Sequence, residues 1–204
     1  MGNWRNLVAV LGLVVLAGCS VRAPELPPSP ISAGKQCLAN LAAAKVVFEP
    51  LEAAGSGACT IDNPVRLVAT GVPFNRPGMM SCELADALRR FEAEIVQPAA
   101  QRHFRQGVRR IHHAGSFDCR SQRNRNRLSQ HALGKAMDIV AFELADGGMV
   151  NVAKHWSQGG ARAAFLQEVA RRSCSQFAGV ITPDGDADHR DHIHLDIGPY
   201  TFCR

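Results

Sequence analysis

Apolar and polar residues alternate with a period of two in a short stretch near the end of the chain. Over residues 192–197, three apolar residues alternate with His192, His194 and Asp196. This period places the apolar side chains on one face of a β-strand and the polar side chains on the other. Other short apolar stretches complete a set of predicted strands over residues 45–49, 64–70, 107–113, 136–143, 148–152, 178–182 and 192–197.

A spacing of three or four residues between apolar positions predicts helices elsewhere. From Leu84 to Ile95 the apolar residues recur at intervals of four, three and four, which predicts an amphipathic helix over 82–97 that Pro98 would end or kink. Because helices and strands do not alternate regularly, we expect an α+β domain with a central, mostly antiparallel sheet flanked by helices. The other predicted helices cover residues 35–44 and 160–173.

The N-terminus has the pattern of an export signal. Arg5 precedes an apolar run from Leu7 to Gly18, which is too short to span a membrane but fits the core of a signal peptide. The run ends in LAGC, which resembles the lipobox of bacterial lipoproteins; this implies cleavage before Cys19 and lipidation of that residue. Ser20, where an inner-membrane retention signal has Asp, favours the outer membrane. An ordinary export signal with an incidental cysteine is the alternative.

We therefore expect three segments: a signal peptide over 1–18, a tether over 19–34 that starts at the lipidated Cys19, and one folded domain over 35–204. The stretch VRAPELPPSPISAGK, residues 21–35, covers most of the tether, and its four prolines predict an extended, stiff chain. This organisation places the protein in the cell envelope, on the periplasmic face, anchored to a membrane by lipid.

The cysteines predict a domain braced by disulfides. The chain has seven, and setting Cys19 aside for lipid leaves an even number, which in an exported protein favours three disulfides. The chain lacks the close C-x-x-C pairs of a cysteine-ligated zinc site. Several pairings are possible, and closing neighbouring segments would join Cys37 to Cys59, Cys82 to Cys119 and Cys174 to Cys203.

The formal net charge is +5, and four arginines cluster at Arg120, Arg123, Arg125 and Arg127. A basic cluster is compatible with binding nucleic acid, but a tethered envelope protein has little access to it. Anionic wall polymers or lipid head groups are the better partners. A solvated loop explains the cluster equally well.

A single carboxylate, Asp138, stands inside the apolar run 136–142. Burying an unpaired carboxylate costs several kcal/mol, so Asp138 must be paired, hydrogen-bonded or bound to a metal. His131 precedes it by seven residues, and in one helix the two would lie ~10 Å apart along the axis, too far to share a metal ion. Gly134 between them permits a turn that would bring His131 back beside a strand carrying Asp138.

His192 and His194 share one face of the last long strand, so both reach the same place. Together, His131, Asp138 and His194 form a set of two imidazoles and one carboxylate, which is how catalytic zinc is held with a fourth position open. His192 is the candidate base. Asp191 competes for that role, although alternation points it away, from where it could orient an imidazole.

These residues resemble a family of zinc peptidases. Residues 129–138 match the S-x-H-x-x-G-x-A-x-D signature of the D-Ala-D-Ala metallopeptidases, which belong with lysostaphin, the penicillin-insensitive murein endopeptidase and the Sonic hedgehog signalling domain. The resemblance implies that His194 binds zinc and His192 acts in catalysis. GSFDCR resembles the segment that supplies a substrate-binding arginine, here Arg120. Where D-Ala-D-Ala enzymes carry Glu three residues before the last ligand, this chain has Asp191.

Residues 36–204 as a whole resemble the bacterial extensin-like C-terminal domain family, whose name carries no mechanism. The matching segments are CLANLAAAKVVFEPL, GVPFNRPGMMSCELADAL, the block that carries His131 and Asp138, HRDHIHLDIGP and the closing FCR.

The combined expectation is a monomeric, zinc-dependent peptidase that cuts an amide bond in peptidoglycan peptides. One alternative is a non-catalytic module that uses zinc for structure or partner recognition, as the hedgehog resemblance allows. Another is a wall-binding domain that holds no metal and binds through its arginine cluster.

Overall fold

The computed structural model describes residues 30–123 and 126–204. The predicted signal peptide, most of the tether and the lipidation site Cys19 lie outside these residues, as does Arg125. Within the described ranges, none of the helices combines the length and the apolar character needed to cross a bilayer.

Helices and strands follow one another irregularly, and the domain is α+β as predicted. The described residues form five α-helices, which are α1 Pro30–Ala43, α2 Cys82–Arg90, α3 Gln97–Phe104, α4 Val152–His155 and α5 Gly160–Ser173. A π-helical turn, Phe91–Val96, joins α2 to α3, and short 3-10 turns cover Gly57–Cys59, Gln130–Leu133 and Ala187–His189. The strands are β1 Val47–Pro50, β2 Pro64–Ala69, β3 Pro73–Ser81, β4 Val108–Gly115, β5 Ala136–Leu144, β6 Met149–Asn151, β7 Gly179–Ile181, β8 Ile193–Asp196 and β9 Phe202–Cys203.

The strands form one mixed sheet in the order β1-β2-β3-β4-β5-β8-β7-β9, with β6 paired to β5. The β3–β4 and β7–β9 pairs are parallel, and the other pairs of described strands are antiparallel. The prediction of a mostly antiparallel sheet is therefore confirmed, with a parallel contact in the middle that it did not include.

Strand β3 was not predicted, because its sequence contains Pro73 and Pro77, which cannot donate to a sheet ladder. The chain resolves this locally with an asparagine side chain. Asn75 donates its Nδ2 to the His113 carbonyl at 3.3 Å and accepts the His113 N–H at 3.0 Å. A side chain thus replaces part of the backbone pairing between β3 and β4.

The long helical segment also differs from its prediction at Pro98. Helical structure runs from Cys82 to Phe104 and does not end at the proline. The π-helical turn immediately before Pro98 is wider than an α-helical turn, which relieves the clash between a proline ring and the preceding carbonyls. Pro98 itself lies in the first turn of α3.

Helices α2 and α5 pack on the apolar face of the sheet and form the main core. Leu84 of α2, Phe165 of α5, Met137 and Ile139 of β5, and Leu195 of β8 are all 0% exposed. The residues that alternate with these apolar residues on β5 and β8 face away from the helices. That opposite face carries the candidate site.

Three disulfides brace the domain, and two of the predicted pairings are wrong. Cys37 pairs with Cys82 because α1 packs against α2, and Cys59 pairs with Cys119. The Cys174–Cys203 pair is as predicted and joins the end of α5 to β9. The two errors arose because neighbours in sequence were taken as neighbours in space.

Candidate metal centre

His131 and Asp138 reach one another through a turn, as the sequence predicts. Ser129 caps the 3-10 turn and accepts the His131 N–H at 3.3 Å. Gly134 then reverses the chain with a φ of +63°, a conformation that favours glycine. The chain enters β5 at Ala136, and Asp138 follows two residues later.

The pairing of β5 with β8 brings the third residue into place. Asp138 lies directly opposite His194 in the antiparallel register. Asp138 Oδ1 is 3.2 Å from His131 Nε2 and 2.9 Å from His194 Nδ1, and the two nitrogens are 3.1 Å apart. His131 and His194 are 3% and 8% exposed. The three side chains therefore offer one buried nitrogen–nitrogen–oxygen set that could hold a metal ion.

The outward nitrogens of both imidazoles are committed to acceptors. His131 Nδ1 is 2.9 Å from the Ser116 carbonyl, which can only accept, so this nitrogen carries a proton. His194 Nε2 is 3.1 Å from Asp196 Oδ2, which is a second acceptor. When each ring is neutral and carries its proton on this outward nitrogen, both rings turn an unprotonated nitrogen toward Asp138. Three acceptors meeting in a buried space require a positive charge between them.

The pKa values reflect this demand for positive charge. Burial by itself raises the pKa of Asp138, but hydrogen bonds from His131 and His194 outweigh burial and hold it well below its usual range. Burial lowers the pKa of His194, yet hydrogen bonds to Asp138 and Asp196 raise it to about 9. A proton on His194 thus supplies the charge when no metal does, and a divalent cation would displace it.

His192 lies at the edge of the same cluster, and Asp191 holds it there. His192 Nε2 is 3.5 Å from Asp138 Oδ1, and its Nδ1 is 2.8 Å from Asp191 Oδ1. The hydrogen bond with His192 lowers the pKa of Asp191. Asp191 is therefore an ionised carboxylate that orients the His192 imidazole, one of the two placements that the sequence left open.

A comparison with protein families gives this domain a place among known sequences. Residues 35–204 match the model of the family described as extensin-like protein C-terminus. The chain belongs to this family. Neither the curated proteins nor the solved structures include a significant match to the extensin-like domain.

The extensin-like domain carries Arg120 on a loop that is bonded to the cluster through its backbone. The Asp118 N–H donates to the His131 carbonyl at 3.3 Å, and the Ser129 N–H donates to the Arg120 carbonyl at 3.1 Å. The Arg120 guanidinium binds Asp118, Nε to Oδ2 at 2.8 Å, and half of the side chain is exposed. Among the described residues no hydrogen bond joins this guanidinium to the cluster.

The other two described residues of the arginine cluster also have side-chain partners. Arg123 forms an ion pair with Asp188, and Arg127 donates to Gln122 and lies over the Tyr200 ring. Neighbouring side chains therefore neutralise part of the positive charge of the arginine cluster.

His189 is a site residue that the sequence analysis did not select. Its ring centroid lies 4.9 Å from that of His192 and 5.6 Å from that of His194. Asp186 holds it through a 2.6 Å contact from Oδ1 to His189 Nδ1. The sequence signal that could have identified it is the H-x-x-H-x-H spacing of 189–194. The 3-10 turn Ala187–His189 brings the first of these histidines beside the other two.

Proposed function

We propose that the extensin-like domain is a zinc-dependent peptidase that hydrolyses an amide bond in peptidoglycan peptides. The observation that carries the proposal is the convergence of three acceptor atoms, two of them on buried imidazoles whose outward nitrogens already have acceptors of their own. His131 Nε2, Asp138 Oδ1 and His194 Nδ1 would hold the ion. Two imidazoles and one carboxylate are a donor set typical of catalytic zinc.

When bound, zinc supplies Lewis-acid chemistry, because it polarises a carbonyl and makes water more acidic. The chain's own contribution to proton transfer comes from His192. Its Nε2 faces the cluster and can accept a proton there, while Asp191 keeps the proton on Nδ1 and stabilises the imidazolium that results. The same Nε2 can then donate its proton to the leaving amine nitrogen.

The proposed substrate and location follow from the predicted N-terminus and from the resemblance to D-Ala-D-Ala metallopeptidases. A lipidated Cys19 would hold the domain in the envelope, within reach of peptidoglycan stem peptides. Arg120 would bind a substrate carboxylate after releasing Asp118, since both groups are largely exposed and the pair is weak. Three disulfides are consistent with an oxidising compartment.

A zinc count tests the metal first. The full chain, exported to an oxidising compartment and extracted in mild detergent, is analysed by mass spectrometry beside His194→Ala. We expect about one zinc per chain in the parent and almost none in His194→Ala, since the variant loses one of the proposed ligands. A parent that holds no zinc, even after zinc is added back, would refute the proposal.

A second variant separates binding from catalysis. His192→Ala is expected to keep its zinc and to lose hydrolysis of purified muropeptides by a factor on the order of 10²–10⁴, the range for a general base. His103→Ala, on α3 and bonded to Glu168, is the matched control and should retain both. An inactive His192→Ala protein that has also lost zinc would contradict this division of roles.

One observation favours a second function, a non-catalytic zinc-stabilised module for wall binding or interaction. Arg120 is neutralised by Asp118 within its own loop, so the side chain proposed to bind substrate is already occupied. A protein that binds zinc, binds peptidoglycan and cuts none of the muropeptides tested would establish this alternative.

A further inference from the structure

Asp196, at the end of β8, is a carboxylate buried directly behind His194. It is 1% exposed and accepts three hydrogen bonds. Its Oδ1 accepts the Gly198 N–H at 2.7 Å, and its Oδ2 lies 3.1 Å from both His194 Nε2 and the Tyr200 hydroxyl. These three partners hold the Asp196 carboxylate in one position, where both of its oxygens accept hydrogen bonds.

The neighbouring strand leaves room for this carboxylate. Gly179 of β7 lies opposite Asp196 in the sheet, and a Cβ added to Gly179 would stand 2.0 Å from Asp196 Oδ2. Its backbone φ is not in the left-handed region, so the conformation of the strand does not require glycine there. The close approach of Asp196 is the structural reason for a glycine at this position.

We propose that Asp196 is a positioning residue that fixes the tautomer and the orientation of the His194 ring for metal binding. Both carboxylate oxygens are acceptors, and Gly198 holds one of them so that the group cannot turn away. Asp138 competes for the same imidazole proton at Nδ1, but once a cation neutralises Asp138, His194 presents Nε2–H to Asp196 and leaves its Nδ1 lone pair for the metal. The inference rests on the proposed function for the identity of the metal, but the tautomer of His194 can be measured without any metal.

The substitution Asp196→Asn isolates this role because it keeps the shape and changes the hydrogen-bond pattern. If the amide oxygen stays on the Gly198 N–H, the amide NH₂ faces His194 Nε2 and can only donate to it. The imidazole proton then moves to Nδ1, where it blocks the metal position. If the amide turns over, its NH₂ meets the Gly198 N–H instead, so neither orientation satisfies both neighbours.

The first measurement is zinc affinity, determined for the full chain in mild detergent by competition with a chelator of known affinity. Asp196→Asn should bind zinc ~10–100-fold more weakly, the usual effect of losing a carboxylate that holds a metal-binding histidine. Tyr200→Phe, which keeps the carboxylate, should lose less. Asp184→Asn, an exposed position, is the matched control and should equal the parent.

The second measurement reads the tautomer of His194 by nitrogen-15 NMR, in metal-free protein at an alkaline pH where the ring is neutral. It uses the Asp138→Asn background, because an ionised Asp138 would compete with Asp196 for the single imidazole proton. Asp138→Asn should carry the proton on Nε2, and the double variant Asp138→Asn with Asp196→Asn should carry it on Nδ1, a change that a purely structural role would not produce. Unfolding in chelator reports whether each variant folds, and a proton on Nδ1 in Asp138→Asn overturns the inference even if the double variant does not fold.

The two proposals fail in different ways. A parent that binds no zinc refutes the proposed function, while the tautomer in Asp138→Asn still tests Asp196. A parent that binds zinc, beside an Asp196→Asn protein with equal affinity and a double variant with the proton on Nε2, refutes the role of Asp196 alone.

Discussion

Replacing Asp138 by asparagine should abolish the stabilisation of the fold by zinc. The substitution keeps the side-chain shape and removes the one negative charge among the three proposed ligands. A neutral amide oxygen is a much weaker ligand for a divalent cation than a carboxylate. The Asp138 side chain is only 15% exposed, so solvent can do little to compensate for the lost negative charge.

The expected size follows from linkage between metal binding and folding. Zinc at about 100 times its dissociation constant adds ~2.7 kcal/mol to the free energy of unfolding, provided that the unfolded chain does not bind it. For a domain of this size, 1 kcal/mol shifts Tm by about 2–4 °C, so the parent should gain about 5–11 °C. The variant should gain almost nothing.

The metal-free protein also loses stability, because the charge-assisted hydrogen bond from His194 to Asp138 at 2.9 Å is weakened. Such bonds contribute about 1.5–3 kcal/mol, so Asp138→Asn should melt below the parent even in chelator. The conditions distinguish the two losses. The weakened hydrogen bond lowers Tm already in chelator, whereas the loss of zinc binding appears only when zinc is added.

Calorimetry of the parent, Asp138→Asn and Asp184→Asn, each in chelator and in excess zinc, measures both effects. Asp184→Asn should follow the parent in both conditions. The reasoning is refuted if Asp138→Asn gains the same Tm from zinc as the parent does, because the carboxylate would then not be a ligand.

Three further predictions concern other parts of the domain. Hydrogen bonding to Arg102 lowers the pKa of Glu168 from 4.5 to about 2, so the stability that this carboxylate contributes is present above pH 4.5 and lost toward pH 2. Because Arg102 is half exposed, Glu168→Gln should lower the free energy of unfolding in urea by only ~1–2 kcal/mol at pH 7. The difference between parent and variant should close as the pH falls from 4.5 toward 2. Serine at both Cys59 and Cys119, which are 60 residues apart, should lower the free energy of unfolding by about 4 kcal/mol and loosen the loop beside the cluster. His189→Ala should reduce muropeptide hydrolysis while the zinc count stays at the parent level.

Each of these has an outcome that contradicts it. A Glu168→Gln protein whose deficit persists unchanged at pH 2 would show that the carboxylate's charge is not the source. Equal urea midpoints for the parent and the double serine variant would exclude the bracing role of the Cys59–Cys119 disulfide. Full hydrolysis by His189→Ala would make its position beside His192 incidental.

The convergence of His131, Asp138 and His194 was predictable because its determinants are local. Gly134 allows the turn between His131 and Asp138, and two-residue alternation places His194 on the polar face of its strand. The groups behind these side chains were not predictable in the same way. The Ser116 carbonyl that fixes His131 is a backbone group, and no residue type in the sequence announces it.

The errors in the fold have the same origin, since each depends on contacts between distant parts of the chain. Cys37 meets Cys82 only because α1 packs on α2. Strand β3 forms although its prolines oppose it, because Asn75 completes the pairing with β4. Local propensity carries no information about either contact.

The sheet register connects the stability of the fold to the geometry of the site. The β5–β8 pairing that buries Met137 opposite Leu195 is the same pairing that sets Asp138 opposite His194. A slip of one residue would turn the apolar side chains out of the core, at a cost of about 1.5–3 kcal/mol for each large one. Apolar burial along β5 and β8 therefore holds Asp138 and His194 opposite one another without the help of a metal ion. If the cluster binds a cation as proposed, these side chains are in place before the cation enters.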